Sequence, residues 1–288
     1  MFKRIIVATD LSPASFAVVG CLQGLRAYGT EECLLLQCLG LTDAASTAFS
    51  YHTEPLERML GEQKEILSKQ GFAVEARTVM GAPKREVNRI AIEEDYSLIV
   101  VGAQGHSIVV EKMLGGVAYG IIHGAKKPVL VIPVEKGEGD SCQTVSSCAF
   151  NEHLLFATDF SEAADSAFHH VERMVADGAR KVTLLHVQDK TKLEKHLKDR
   201  LDEFNALDQS RLEGLKEALL NKGAPSIDLE ICYGIPSEEI KRMIRERDAR
   251  LVVMGTQGRS FTGELFLGSV SHTIARSSIA PLLLVPVL

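Results

Sequence analysis

The sequence predicts two tandem α/β domains, each a mainly parallel, doubly wound five-stranded sheet with helices on both faces. Three observations lead there: the chain repeats itself, short apolar runs alternate with longer amphipathic segments, and 288 residues exceed the ~100–150 of an ordinary domain. In the repeat, RIIVATDLSPAS at 4–15 returns as HLLFATDFSEAA at 153–164, and LIVVGAQGHS at 98–107 returns as LVVMGTQGRS at 251–260. Gly81 with Pro83 recurs as Gly234 with Pro236, and KPVLVIPV at 127–134 as APLLLVPV at 280–287. The polar run EKGEGDSCQTVSSC, with its Gly and Ser and no periodicity, reads as the connection. The expected division is a first domain over 1–135, a linker over 136–150 and a second domain over 151–288.

The elements of the second copy follow in order. LLFATD opens it as a continuous apolar strand, the signature of a strand buried on both faces. A helix is expected over 161–178, then the strand VTLLHV. The segment 190–222, rich in Lys, Glu and Leu, reads as a solvated outer helix with an apolar stripe. Strand IDLEICYG, a helix over 236–247, strand LVVMG, a helix over 269–278 and strand PLLLVPV complete the domain. Five strands joined by crossover helices imply right-handed connections, and ligands of such sheets bind beyond the carboxyl ends of the strands. The ATD and VMGTQG anchors both lie at such ends.

Composition narrows the function. With 45% hydrophobic residues the chain can fill ordinary cores, and a net charge of −6 excludes the basic face of a nucleic-acid binder. No apolar run approaches the ~18 residues that cross a bilayer, and MFKRIIVATD enters a strand at once, so no membrane partner and a cytoplasmic location are expected. Cys21, Cys33, Cys38, Cys142, Cys148 and Cys232 keep no metal-ligand spacing and are expected as reduced structural thiols. His186, in an apolar strand, reads as a satisfied core histidine with no assigned chemistry.

Chemistry concentrates after the fourth strand of the second copy. Gly255, Gly258, Gly263 and Gly268 precede Ser269 at a helix start. Glycine permits positive φ and lets a ligand approach where a Cβ would collide, and loop amides with a helix N-terminus make a concave anion site. No G-x-x-x-x-G-K-[ST] is present, and the first strand does not lead into G-x-G-x-x-G, so neither a Walker loop nor a dinucleotide fingerprint explains the site.

G-x-x-G, nine residues, then G-[ST] after strand four is similar to the nucleotide signature of the universal stress protein family, and the chain resembles a tandem member of it. The resemblance implies a Rossmann-like domain of the adenine-nucleotide α-hydrolase-like type, with strand order 3-2-1-4-5. It also implies ATP or AMP as the bound cofactor, with Mg2+ accompanying ATP. In copy two it makes Asp159 an acceptor for ribose hydroxyls and Val187 a backbone contact for adenine. Gly255 and Gly258 then line ribose and α-phosphate, Arg259 lies near the phosphates, and Gly268, Ser269 and Val270 hold the terminal phosphates. Ala157, Thr158 and Met254 complete that set. The copy-one counterparts are Ala8, Thr9, Asp10, Cys38, Val101, Gly102, Gly105, His106, Gly115, Gly116 and Val117, with Gly116 standing where the signature has Ser or Thr.

Plainer readings compete at two positions. Asp10 and Asp159 suit the cap of helix one, and Ser269 the cap of the last helix. The pairing of each Asp with a glycine loop in both copies favours the nucleotide role. No catalytic residue and no metal ligand is assigned. The function expected is an adenine-nucleotide-binding regulatory protein. The rivals are a nucleotide-independent interaction protein and a slow ATP hydrolase. The expected partners are the nucleotide and an intramolecular pseudo-dimer of the two copies through their last strands, with a homo-oligomer of the whole chain left open.

Overall fold

The computed structural model describes residues 1–40, 49–104, 114–191, 201–258 and 267–287. These divide into two compact units, Met1–Cys148 and Ala149–Leu288.

In the first unit β1 (Arg4–Thr9) leads to α1 (Pro13–Gly20), a 3-10 helix (Leu22–Tyr28) and β2 (Glu32–Leu39). Next come α2 (Phe49–Lys69), β3 (Ala73–Met80), α3 (Pro83–Glu93), β4 (Leu98–Gly102), α4 (Gly116–Gly124) and β5 (Val129–Ile132). Parallel pairing of β1 with β2 and β4, of β2 with β3 and of β4 with β5 gives the order β3-β2-β1-β4-β5. The path steps outward from β1 to β3 and then back across to β4 and β5. Right-handed crossovers therefore place α1 and α2 on one face and α3 and α4 on the other. Ile5, Ile6, Val7, Leu35, Ile99 and Val100 are wholly buried, which is why these strands read as unbroken apolar runs.

The second unit repeats the plan. It comprises β8 (Leu154–Thr158), α5 (Glu162–Ala176), β9 (Val182–Asp189), α6 (Leu201–Asn221), β10 (Ile227–Gly234), α7 (Pro236–Glu246), β11 (Leu251–Gly255), α8 (Ser269–Ser277) and β12 (Leu282–Val285). β8 pairs in parallel with β9 and β11, β9 with β10, and β11 with β12. Strand order thus reverses between β8 and β11, whose carboxyl ends diverge into a crevice. β12 stops at Val285, before Pro286, because proline has no N–H to continue the ladder. α5 ends near Gly178, whose φ of 104° no ordinary helix residue adopts. Of the expected helix 190–222, residues 192–200 lie outside the described residues. No helix among the described residues is long and apolar enough to cross a membrane.

Two features between the repeats differ from expectation. Val134–Lys136 (β6) and Cys142–Thr144 (β7) form an antiparallel ribbon at the start of the segment read as the linker, and β7 packs on α1. That fold-back brings Cys148 to Cys21 at the end of α1, and the two form a disulfide with a Cα–Cα separation of 5.5 Å, ordinary for such bonds. The expectation of reduced thiols throughout is corrected for this pair. A sequence separation of 127 residues hid the partnership. Cys33, Cys38, Cys142 and Cys232 are free thiols.

Candidate functional site

The crevice of the second unit begins where β8 ends. Thr158 Oγ1 accepts from the Phe160 amide at 2.9 Å, and Asp159 Oδ1 accepts from the Ser161 amide at 3.1 Å. These bonds hold Phe160 at φ 56°, a left-handed conformation uncommon for a bulky residue. The cap of α5 is Ser161, which accepts from the Ala164 amide at 3.3 Å, so Asp159 is not a helix cap. The first unit builds the same turn. Leu11 sits at φ 59°, Asp10 Oδ1 accepts from Ser12, and Ser12 caps α1. In both copies the aspartate is presented by the turn and the serine closes the helix.

The glycine loop comes against this turn from β11. A Cβ on Gly255 would lie 2.7 Å from the backbone of Ala163, and one on Gly258 would lie 2.7 Å from Asp159 Oδ2. Close approach, and not backbone conformation, is what demands glycine here. Gly255, Gly258 and Gly268 all lack the positive φ that the sequence suggested glycine would supply. Ser161 Oγ donates to the Gln257 carbonyl at 3.4 Å, tying the loop to the turn, and the Gly268 amide donates to the Thr256 carbonyl at 2.7 Å, closing the loop.

Gly268 is the N-cap of α8 and Ser269 its first helical residue, with no side-chain cap bond. The capping reading of Ser269 is thereby removed, and its hydroxyl stands at the helix start together with the amides. Gly115 and Gly116 occupy the same two places at α4.

A cleft of about 730 Å³ joins these parts, within the range that small-molecule sites occupy. Ala157, Thr158, Asp159, Val187, Met254, Gly255, Gly258, Gly268, Ser269 and Val270 all line it. Arg259 lies outside the described residues. The sequence reading missed one wall. Phe204, Leu207, Asp208 and Arg211 reach the cleft from α6, and His186 and Gln188 from β9. His186, expected as a satisfied core histidine, is indeed buried with Nδ1 2.8 Å from the Thr158 carbonyl oxygen, and its ring also approaches Asp208. Only the register of α6, which no local spacing reveals, could have brought Asp208 to it.

In the first unit Ala8, Thr9 and Asp10 end β1, Cys38 lies near the end of β2, Val101 and Gly102 end β4, and Gly115, Gly116 and Val117 start α4. Gly105 and His106 lie outside the described residues. Thr9 Oγ1 donates to Gln63 Oε1 at 2.8 Å in a buried network that continues from Gln63 Nε2 to Ser15 Oγ at 3.0 Å. Burial and the nearby Glu86 push the Cys38 thiol up to about 11, so it stays protonated and unreactive at neutral pH. Among the described residues, nothing lies within 4 Å of a Cβ added at Gly116. Among the described residues, no group of three or more His, Cys, Asp or Glu side chains could hold a metal ion.

Comparison with known proteins finds matches over both units. The sequence model of the Universal stress protein family matches residues 1–133 and 151–286. A universal stress protein of Methanocaldococcus jannaschii is 31% identical over 151 residues, spanning 46% of this chain and 93% of that protein. A putative universal stress protein of Staphylococcus epidermidis is 26% identical over 138 residues, spanning 46% of this chain and 83% of that one. In fold, a universal stress protein from Archaeoglobus fulgidus matches with a TM-score of 0.76 at 24% identity, covering 100% of both chains.

Proposed function

Because the chain belongs to the universal stress protein family, we propose that it is an adenine-nucleotide-binding regulatory protein with its stronger site in the second unit. The observation that carries this reading is the convergence on one cleft of the ten described residues that the family signature marks in copy two. A carboxylate accepts hydrogen bonds only, which suits a ribose diol at Asp159. Helix-start amides and the Ser269 hydroxyl suit phosphate oxygens at α8. ATP or AMP is the ligand, and Mg2+ enters with ATP, held by its phosphates.

The proposed role is regulatory, with the described lining of the cleft holding an adenylate rather than turning it over. A thermal-shift panel of ATP, ADP, AMP and NAD tests the reading. A nucleotide at a hundredfold excess over its Kd stabilises the native chain by about 2.7 kcal/mol. ATP or AMP should raise the melting temperature and NAD should not; no rise with any adenylate would overturn the proposal. Phosphate release from ATP should stay below ~1 per second, the floor of ordinary enzyme turnover. From the family resemblance, the two copies are also proposed to pair through their last strands. Solution scattering that resolved two independently tumbling lobes would refute that pairing.

A further inference from the structure

The α6 wall of the cleft is tied to the turn that presents Asp159. Gln188 Nε2 donates to Asp208 Oδ2 at 3.0 Å, and Arg211 Nη1 lies 3.6 Å from Asp208 Oδ1. Asp208 is 6% exposed, so the guanidinium three residues further along α6 is held from a buried anchor. From there Arg211 lies over the ring of Phe160, 5.2 Å from its centroid, a distance at which a cation is attracted to an aromatic face. The same ring packs against His186, with the two centroids 4.7 Å apart. Phe160 is thus engaged from both α6 and β9.

What these contacts hold is a strained conformation. Phe160 sits at φ 56°, a region that bulky side chains rarely adopt, and it stands between the two partners of the bond from the Ser161 amide to Asp159 Oδ1. A turn that relaxed to negative φ at this residue would separate Asp159 from Ser161 and re-aim the carboxylate in the cleft. The first unit builds the same turn, with Leu11 at φ 59°, and anchors it differently. Thr9 Oγ1 accepts from the Leu11 amide at 3.0 Å and donates to Gln63 of α2 at 2.8 Å. Helices α2 and α6 are both 21 residues long and bury Leu60 and Leu67, and Leu212 and Leu219, at matching places, so Met59 stands where α6 has Arg211. The same helix steadies the turn in each unit, through a buried amide in one and through a cation on an aromatic ring in the other.

We propose that Arg211 is a positioning residue of the nucleotide cleft: through Phe160 it fixes the turn that presents Asp159, and so sets how strongly the second unit selects ligands that carry ribose hydroxyls. The inference rests on the nucleotide reading of the second unit. An exposed cation–π contact contributes about two- to fivefold to an equilibrium constant, and that factor is the part of the selection assigned to Arg211.

The test uses the full chain carrying Asp10→Ala, so that ribose selection reports the second unit, and titrates it with AMP and with dideoxy-AMP, which lacks both ribose hydroxyls. Arg211→Ala should lower the preference for AMP over dideoxy-AMP about two- to fivefold, and Arg211→Lys, which keeps a cation, should lower it less. Phe160→Leu installs the residue that the first unit holds in the same conformation. It should lower the preference to the same extent, and Arg211→Ala added to it should have no further effect. In the unliganded chain the Ser161 amide should exchange with solvent about two- to fivefold faster in Arg211→Ala, while amides of β12 keep their rates. Equal losses of AMP and dideoxy-AMP affinity would mean that Arg211 touches the phosphate or base directly, and would overturn the proposal. So would additive effects in the double variant, an unchanged Ser161 exchange rate, or an acceleration shared by β12. Absence of binding of either ligand to the chain with Arg211 intact overturns the nucleotide reading and the ribose selection with it, while the exchange rates still decide whether Arg211 holds the turn.

Discussion

Asp159 divides its carboxylate between two tasks, since Oδ1 accepts from the Ser161 amide while Oδ2 faces the backbone of Gly258. Replacing it by alanine removes hydrogen bonds to a charged acceptor, worth about 1.5–3 kcal/mol, so AMP affinity should drop about ten- to hundredfold. Circular dichroism should report an intact fold, because α5 keeps its Ser161 cap. Unchanged affinity in calorimetry would refute the ribose role. Gly258→Ala should weaken binding as well, since its Cβ would meet Oδ2 at 2.7 Å and displace the carboxylate. A third residue governs stability. His153 Nε2 is 2.8 Å from Thr183 Oγ1, and burial first, then Lys181, holds this imidazole below the usual 6.5. The unfolded chain therefore takes up a proton before the folded one does. Stability is complete above pH 6.5 and declines as pH falls through that value, levelling below the folded pKa. Melting temperatures of His153→Gln at pH 7.5 and 5.5 should differ less than those of the wild type.

The two helix starts, α4 and α8, have the same glycine cap and differ in the first helical residue, Gly116 against Ser269. A hydroxyl donating to a charged phosphate oxygen contributes about 1.5–3 kcal/mol, so the second unit should bind ATP more tightly than the first. Gly116→Ser should narrow the gap, because no described residue lies within 4 Å of a new Cβ. Binding isotherms of the full chain carrying Asp159→Ala, with and without Gly116→Ser, measure it. A serine that leaves ATP affinity unchanged would show that the hydroxyl does not govern the site. Much at this scale was legible in the sequence, for physical reasons. IDLEICYG and LVVMG coincide with β10 and β11 because apolar runs and terminal glycines are local signals. Signals that are not local stayed hidden. Asp208 lies 22 positions beyond His186 in the sequence, and only the seating of α6 on the sheet brings them together. The glycines were found by their spacing, but why they must be glycine depends on Ala163 and Asp159 in a neighbouring turn.

Across the whole molecule, the repeat gives each unit the same set of five parallel strands, and the Cys21–Cys148 disulfide gives the first a covalent closure that the second lacks among its described residues. Alkylation of the unfolded, unreduced chain should label four of the six cysteines, Cys33, Cys38, Cys142 and Cys232, and prior reduction should expose all six. Opening so long a loop should cost the first unit about 2–5 kcal/mol and lower its melting temperature. Labelling of six without reduction would show the bond absent. The closure also determines how the chain bears load. When the molecule is pulled by its two ends, tension entering at residue 1 crosses the sulfur bridge at Cys21 and leaves at Cys148, so the intervening residues never come under force. Unfolding the oxidised first unit should then release on the order of 450 Å less contour length than unfolding the reduced one. A thiol reductant thereby becomes a switch for how far the protein can be stretched, readable in a single-molecule extension trace.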